Sequence, residues 1–135
     1  MARHNRLGAE GERIAAEYLI ARGYTIHKQD ERMASRGEID IIAFKDEEVV
    51  FVEVKTRTAP DTDPMEVFGD RRRARMCSAA DSFIRNMDLR QSPRFDIIIV
   101  NMLPDGTHTV SHYPDAFIPQ LGRGSRCCLI YTTPS

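Results

Sequence analysis

Asp40, Glu53 and Lys55 are the residues whose types and spacing can do chemistry together. They lie on two segments, Glu38 to Phe44 and Val49 to Lys55, that each alternate their side chains with a period of two, and the charged pair Asp46-Glu47 stands between them. Such alternation predicts strands, and a short polar break between two of them predicts a hairpin. Pairing the strands about the centre of Asp46-Glu47 puts Ile42 opposite Phe51, Asp40 opposite Glu53 and Glu38 opposite Lys55, all on one surface. Directly opposed side chains have Cβ atoms about 5 Å apart, and like charges there destabilise a sheet. Two carboxylates on otherwise apolar strands need a reason. A hard divalent cation is one, because Mg²⁺ takes oxygen ligands in octahedral geometry and uses one or two carboxylates completed by water and substrate phosphate. Asp40, Glu53 and the main-chain carbonyl of Val54 offer three such ligands. Lys55 follows on the same face as Glu53, where its ammonium can position a water or stabilise charge building on a phosphoryl oxygen. That set can hydrolyse a phosphodiester. Spacing alone leaves a plainer alternative open, in which Glu38, Asp40, Glu53 and Lys55 are the solvated face of a half-exposed hairpin.

Several elements must position these residues. Leu7, Gly11, Ile14, Ala15, Tyr18, Leu19 and Arg22 recur at helical spacing, which predicts a helix from about Gly8 to Arg22 that ends in the left-handed conformation at Gly23. Tyr24 to Lys28 reads as a short strand, and Gln29 to Gly37 as a loop whose last glycine permits a sharp entry into the acidic strand. Thr56 to Gly69, with Pro60 and Pro64, reads as a long loop. Asp70 then caps a helix that carries Met76, Cys77, Ala80, Phe83, Ile84 and Met87 on one face. Arg94 to Val100 is an apolar strand, Pro104-Asp105-Gly106 a turn, and Thr107 to His112 a closing strand. The expected fold is α/β, a mixed central sheet flanked by helices in the order αβββαβ(β).

The chain has 135 residues, and 41% hydrophobic content supports one core. No apolar run approaches the roughly 20 residues of a membrane span, and the charged N-terminus has no signal-peptide core, so a cytoplasmic protein without membrane contact is expected. Cys77, Cys127 and Cys128 fit no disulfide or metal framework, which makes reduced thiols the default. A formal net charge of -1 excludes the broadly basic surface of a nonspecific DNA coater. Nucleic acid therefore needs a local patch, and Arg71-Arg72-Arg73-Ala74-Arg75 is the densest one. Cations in the first turns of a helix oppose its macrodipole, so Arg71, Arg72 and Arg73 read either as phosphate contacts or as a solvated face.

Taken in order, Gly8-x-x-Gly11-Glu12-x-x-Ala15-x-x-Tyr18-Leu19, Gly23-Tyr24, Gly37-Glu38-Ile39-Asp40-Ile41-Ile42, Phe51-Val52-Glu53-Val54-Lys55-Thr56-Arg57 and Arg94-Phe95-Asp96 resemble the YraN-like bacterial family of predicted endonucleases. That family is similar to the Holliday junction resolvases of the PD-(D/E)xK nuclease superfamily. The resemblance runs from about residue 5 to 118, which divides the chain into a nuclease-like domain over 1–120 and a tail over 121–135. It implies a restriction-endonuclease-like fold with Asp40 and Glu53 as metal-binding acids, Lys55 as the catalytic lysine and Glu12 as the acid on the first helix. Ile39 stands where the superfamily motif has proline, which is not a ligand.

The resulting expectation is a cytoplasmic Mg²⁺- or Mn²⁺-dependent endonuclease on DNA, with branched structures among its substrates and a homodimer as its assembly. Catalysis falls to Glu12, Asp40, Glu53 and Lys55, metal binding to Asp40, Glu53 and Val54, and substrate contact to Arg57, Arg71, Arg72 and Arg73. Two rivals stay open: a non-catalytic nucleic-acid-binding module of the same fold, and a protein-interaction domain. Asp96 reads as a local hydrogen-bonding residue, and His108 and His112 lack the one-face geometry of a zinc pair on a strand.

Overall fold

The structure, a computed structural model, describes residues 2–27, 39–58 and 70–116. Helix α1 (Ala2–Ala21) is followed by β1 (Thr25–Ile26), β2 (Ile41–Lys45), β3 (Glu48–Arg57), helix α2 (Asp70–Met87), β4 (Ser92–Met102) and β5 (His108–Tyr113). The order is the expected αβββαββ. Five strands form one mixed sheet in chain order, antiparallel throughout except that β3 and β4 run parallel. A parallel pair needs a crossover, and α2 supplies it. Glu38, the Pro60–Pro64 loop, Cys127, Cys128 and the 121–135 tail lie outside the described residues.

The hairpin has the expected register, with Ile41 opposite Val52 and Ile42 opposite Phe51, and Asp46 takes the positive φ of 54° that closes its turn. Alternation on β3 and β4 then sorts the core into two layers. Val49, Phe51, Ile97 and Ile99 meet Met76, Cys77, Ala80 and Phe83 of α2 on one face. Val50, Val52, Ile98 and Val100 meet Ile14, Ala15 and Leu19 of α1 on the other. Gly23 (φ 93°) ends α1 as the spacing predicts, with the Tyr24 N–H donating to Leu19 O at 3.0 Å. The helix starts six residues earlier than read from the sequence, because Gly8 does not break it. Cys77 is buried and disulfide-bonded, against the expectation of reduced thiols.

Gly11 has a specific task. A Cβ built there lies 1.8 Å from Thr56 Oγ1 and 3.0 Å from Thr56 Cβ, so α1 crosses the end of β3 at a separation that only glycine allows. The crossing sets the next residue, Glu12, beside the hairpin's acidic end.

The α1 face also carries a buried charged cluster. Asp96 is 0% exposed and accepts from Arg94 Nε at 2.9 Å, Arg94 Nη2 at 2.8 Å and the Asp115 N–H at 2.9 Å, while His112 Nε2 lies 2.7 Å away. Arg94 extends the cluster to Tyr24 Oη at 2.6 Å and Glu48 Oε1 at 2.7 Å, and Tyr18 Oη lies 3.3 Å from His112 Nδ1. One aspartate thus ties β4 to β5 and to the chain that follows. Burial alone would raise the Asp96 carboxyl, but His112, Arg94 and the Asp115 amide outweigh it and hold the group below its ordinary value.

Two outcomes follow. Asp96→Asn leaves Arg94 and His112 facing a neutral group, and should cost about 3–5 kcal/mol at pH 7 in urea unfolding. Because the folded carboxyl sits below its unfolded value, that stabilisation is complete above about pH 4 and is lost as pH falls through the folded value. The gap between wild type and variant should therefore close in acid. Gly11→Ala gains helix propensity of about 1 kcal/mol but meets Thr56, and should be net destabilising. In a Thr56→Ala background the same change should recover most of the loss, and a cycle without coupling would show that the contact does not matter.

Candidate functional site

The β2–β3 ladder stops at Ile41–Val52, one residue before Asp40 would pair with Glu53. Asp40 instead turns its side chain into the vacated ladder position, and its Oδ2 accepts the Val54 N–H at 2.9 Å. A strand residue sends its N–H and C=O to the same side, so the Val54 carbonyl also leaves toward the Asp40 side, beyond the last β2 pairing. Glu53 is 9% exposed, and the Asp40 carboxyl lies close enough to act on its charge. The structure therefore brings together two acids and a carbonyl of the expected set.

Their electrostatics follow from that contact. Burial, and then the charge of Asp40, push the Glu53 carboxyl up to about 7, and Arg72 only partly offsets them. Asp40 is also raised, by burial, against the Val54 amide, Arg72 and Glu53, which favour its charged form. Glu12 is solvent-exposed as a residue, yet crowding around its carboxyl and the nearby Asp40 charge push it up to about 7. Three carboxyls with raised values thus share the neighbourhood. Among the described residues no three His, Cys, Asp or Glu side chains converge closely enough for an all-side-chain metal cage. The donor set is two carboxylates plus a carbonyl, with the remaining positions left to water or phosphate, and it fits a hard octahedral cation better than Zn²⁺.

Lys55 is exposed and leaves β3 on the Glu53 face. Arg57 lies further along that face, half-buried, with an Nε that is buried and makes no hydrogen bond among the described residues. The three arginines separate. Arg71 is exposed, Arg73 is half-buried, and Arg72 reaches across the helix–sheet interface to form an ion pair with Glu53 Oε1.

Sequence reasoning missed two parts of this arrangement. The Arg72–Glu53 pair joins residues 19 apart in sequence, and no local pattern marks it. The Arg94–Asp96 pair did leave a signal, since charges two apart on an apolar strand share one face, where Asp96 is buried and Arg94 is half-buried.

Comparison with known proteins fits the motifs. Residues 11–100 match the family described as uncharacterised protein family UPF0102. A UPF0102 protein of Treponema pallidum (strain Nichols) is 41% identical over 123 residues, covering 87% of this chain and 97% of the relative. A UPF0102 protein of Bacteroides fragilis is 38% identical over 124 residues, covering 90% and 99%. One from Caldanaerobacter subterraneus subsp. tengcongensis is 37% identical over 115 residues, covering 82% and 93%. With the order of motifs and the αβββαββ sheet in agreement, the chain belongs to the uncharacterised protein family UPF0102, the YraN-like family.

Proposed function

We propose that this protein is a metal-dependent endonuclease that hydrolyses phosphodiester bonds of DNA, with Mg²⁺ or Mn²⁺ as its cofactor. The observation that carries the reading is the contact of Asp40 with Glu53 on a buried sheet end, beside the Val54 carbonyl. A buried Glu53 carboxyl raised further by the charge of Asp40 is an unfavourable partner for it unless a positive charge joins them. The Arg72 guanidinium supplies part of that charge.

In this reading Asp40, Glu53 and the Val54 carbonyl hold the cation. The chemistry a divalent ion supplies at such a site is neutralisation of phosphoryl charge and a lower pKa for water. Lys55 stands two residues past Glu53 and stabilises charge developing on a phosphoryl oxygen. Glu12, held near Asp40 by the Gly11 crossing, accepts a proton from the attacking water. Arg57, Arg71 and Arg73 flank this end of the sheet and give phosphate contacts that position the strand. A cytoplasmic location, branched DNA as substrate and a homodimer belong to the same proposal, through the likeness to resolvases.

Two measurements test it. Purified protein with Mn²⁺ should cut at least one member of a panel of linear, flapped and four-way DNA, and Asp40→Asn should abolish cutting while leaving stability unchanged or higher. Binding without cutting under every condition would favour the non-catalytic nucleic-acid-binding module, and loss of folding in the variant would make Asp40 structural. The second measurement is thermal unfolding against pH. Glu53 is raised from 4.5 to about 7, so the metal-free protein should lose stability as pH rises across that interval, the folded state being the one that prefers the proton. Saturating Mg²⁺ should remove the loss at pH 8 and matter little at pH 4.5. Equal stabilisation at both values would count against the carboxylates as its ligands.

A further inference from the structure

The arginine run at the start of α2 is not one surface. The helix turns Met76, Ala80 and Phe83 to the sheet, and Arg72 stands one turn before Met76 on that same stripe. Its Nη2 donates to Glu53 Oε1, and the two side chains keep 21% and 12% of their exposure. Its charge acts on Asp40 as well. Arg71, the neighbour in sequence, points to solvent. A cation in the first turn opposes the helix macrodipole, so this placement costs stability that the contact with the acids must offset.

The same Glu53 carboxylate is a ligand in the site proposed above, and it cannot serve a buried guanidinium and a metal ion equally. A guanidinium does not deprotonate, so it leaves the acids when a proton or another cation takes up their charge. Its planar fork then matches a phosphate diester better than an ammonium would.

We propose that Arg72 is an exchangeable counter-ion: it neutralises the Asp40–Glu53 pair until a divalent cation takes those carboxylates, and the released guanidinium then binds the phosphate of the DNA strand. The exchange rests on the metal-site reading. It gives the metal-free protein a tolerable charge balance at a sheet end built from acids. It also couples cation binding to the appearance of one further phosphate contact, so that Arg72 grips the strand only when the site is charged for chemistry.

The test is Mn²⁺ binding to the full chain, read from the paramagnetic resonance of free Mn²⁺, for wild type, Arg72→Gln and Arg71→Gln. Removing the competing charge-assisted contact should tighten Mn²⁺ binding by Arg72→Gln roughly tenfold or more. Arg71→Gln, the same charge change at an exposed position, should shift it less than about twofold. Affinity in Arg72→Gln equal to or weaker than wild type, with wild type binding well, overturns the exchange and leaves the metal site standing. No binding by either protein overturns the metal site and the exchange with it. Thermal unfolding guards against a variant that is merely unstable: Mn²⁺ should raise the midpoint of Arg72→Gln by more than that of wild type, and an equal or smaller rise overturns the exchange. For the second half, a phosphorothioate duplex with saturating Mn²⁺ should show a salt slope lower by about 0.9 in Arg72→Gln. An unchanged slope removes the phosphate role.

Discussion

The contact between Asp40 and Glu53 is the constraint around which this molecule is arranged. Hairpin pairing stops at Ile41–Val52, so Asp40, just before β2, is free to turn its carboxylate to the Val54 amide, near Glu53. Two acids in that position oppose folding. The surrounding structure accommodates them with a guanidinium from α2, a main-chain donor from β3 and protonation near neutral pH. None of these would be needed by a sheet whose end carried apolar residues, which is the physical case for a function at this end.

The two helices serve that end differently. On one side α1 comes close to β3 because Gly11 removes the Cβ that would strike Thr56, and Glu12 arrives with it. From the opposite face α2 delivers Arg72. The apolar layers beneath are ordinary: Phe51 stacks on Phe95 at 5.5 Å, and Phe83 meets Phe51 edge-on at 6.1 Å. They fix the height at which each helix rides on the sheet, and so the reach of the charged groups at its end.

Much of this was legible in the sequence because the information is local. Period two and the Asp46-Glu47 break gave the hairpin register as far as Ile41 opposite Val52, whereas the expected pairing of Asp40 with Glu53 is replaced by the Asp40 side chain accepting from the Val54 amide. Gly23 marked the end of α1 correctly, and the family motifs agreed with the αβββαββ order. What was not legible depends on contacts between distant segments. The arginine run looked uniform, yet only the placement of α2 against β3 selects Arg72 over Arg71. Likewise the role of Asp96 depends on His112 and the Asp115 amide, 16 and 19 residues further along. The start of α1 was misplaced because a lone glycine, costing about 1 kcal/mol, is too weak a signal to end a helix that packing supports.

Strand order in the sheet equals strand order in the chain, and this has a consequence for how the molecule is made. Every pairing joins strands consecutive in the chain and only β3 with β4 needs a helical crossover, so assembly from the N-terminus can complete α1 and the hairpin before α2 exists. Glu12, Asp40, Glu53 and Lys55 all precede Arg72. The nascent chain must therefore carry its acidic sheet end with Lys55 as the nearest cation on that strand, and the parallel pairing of β4 arrives together with the helix that neutralises the acids. Closure of the crossover and settlement of the charge are one event in time.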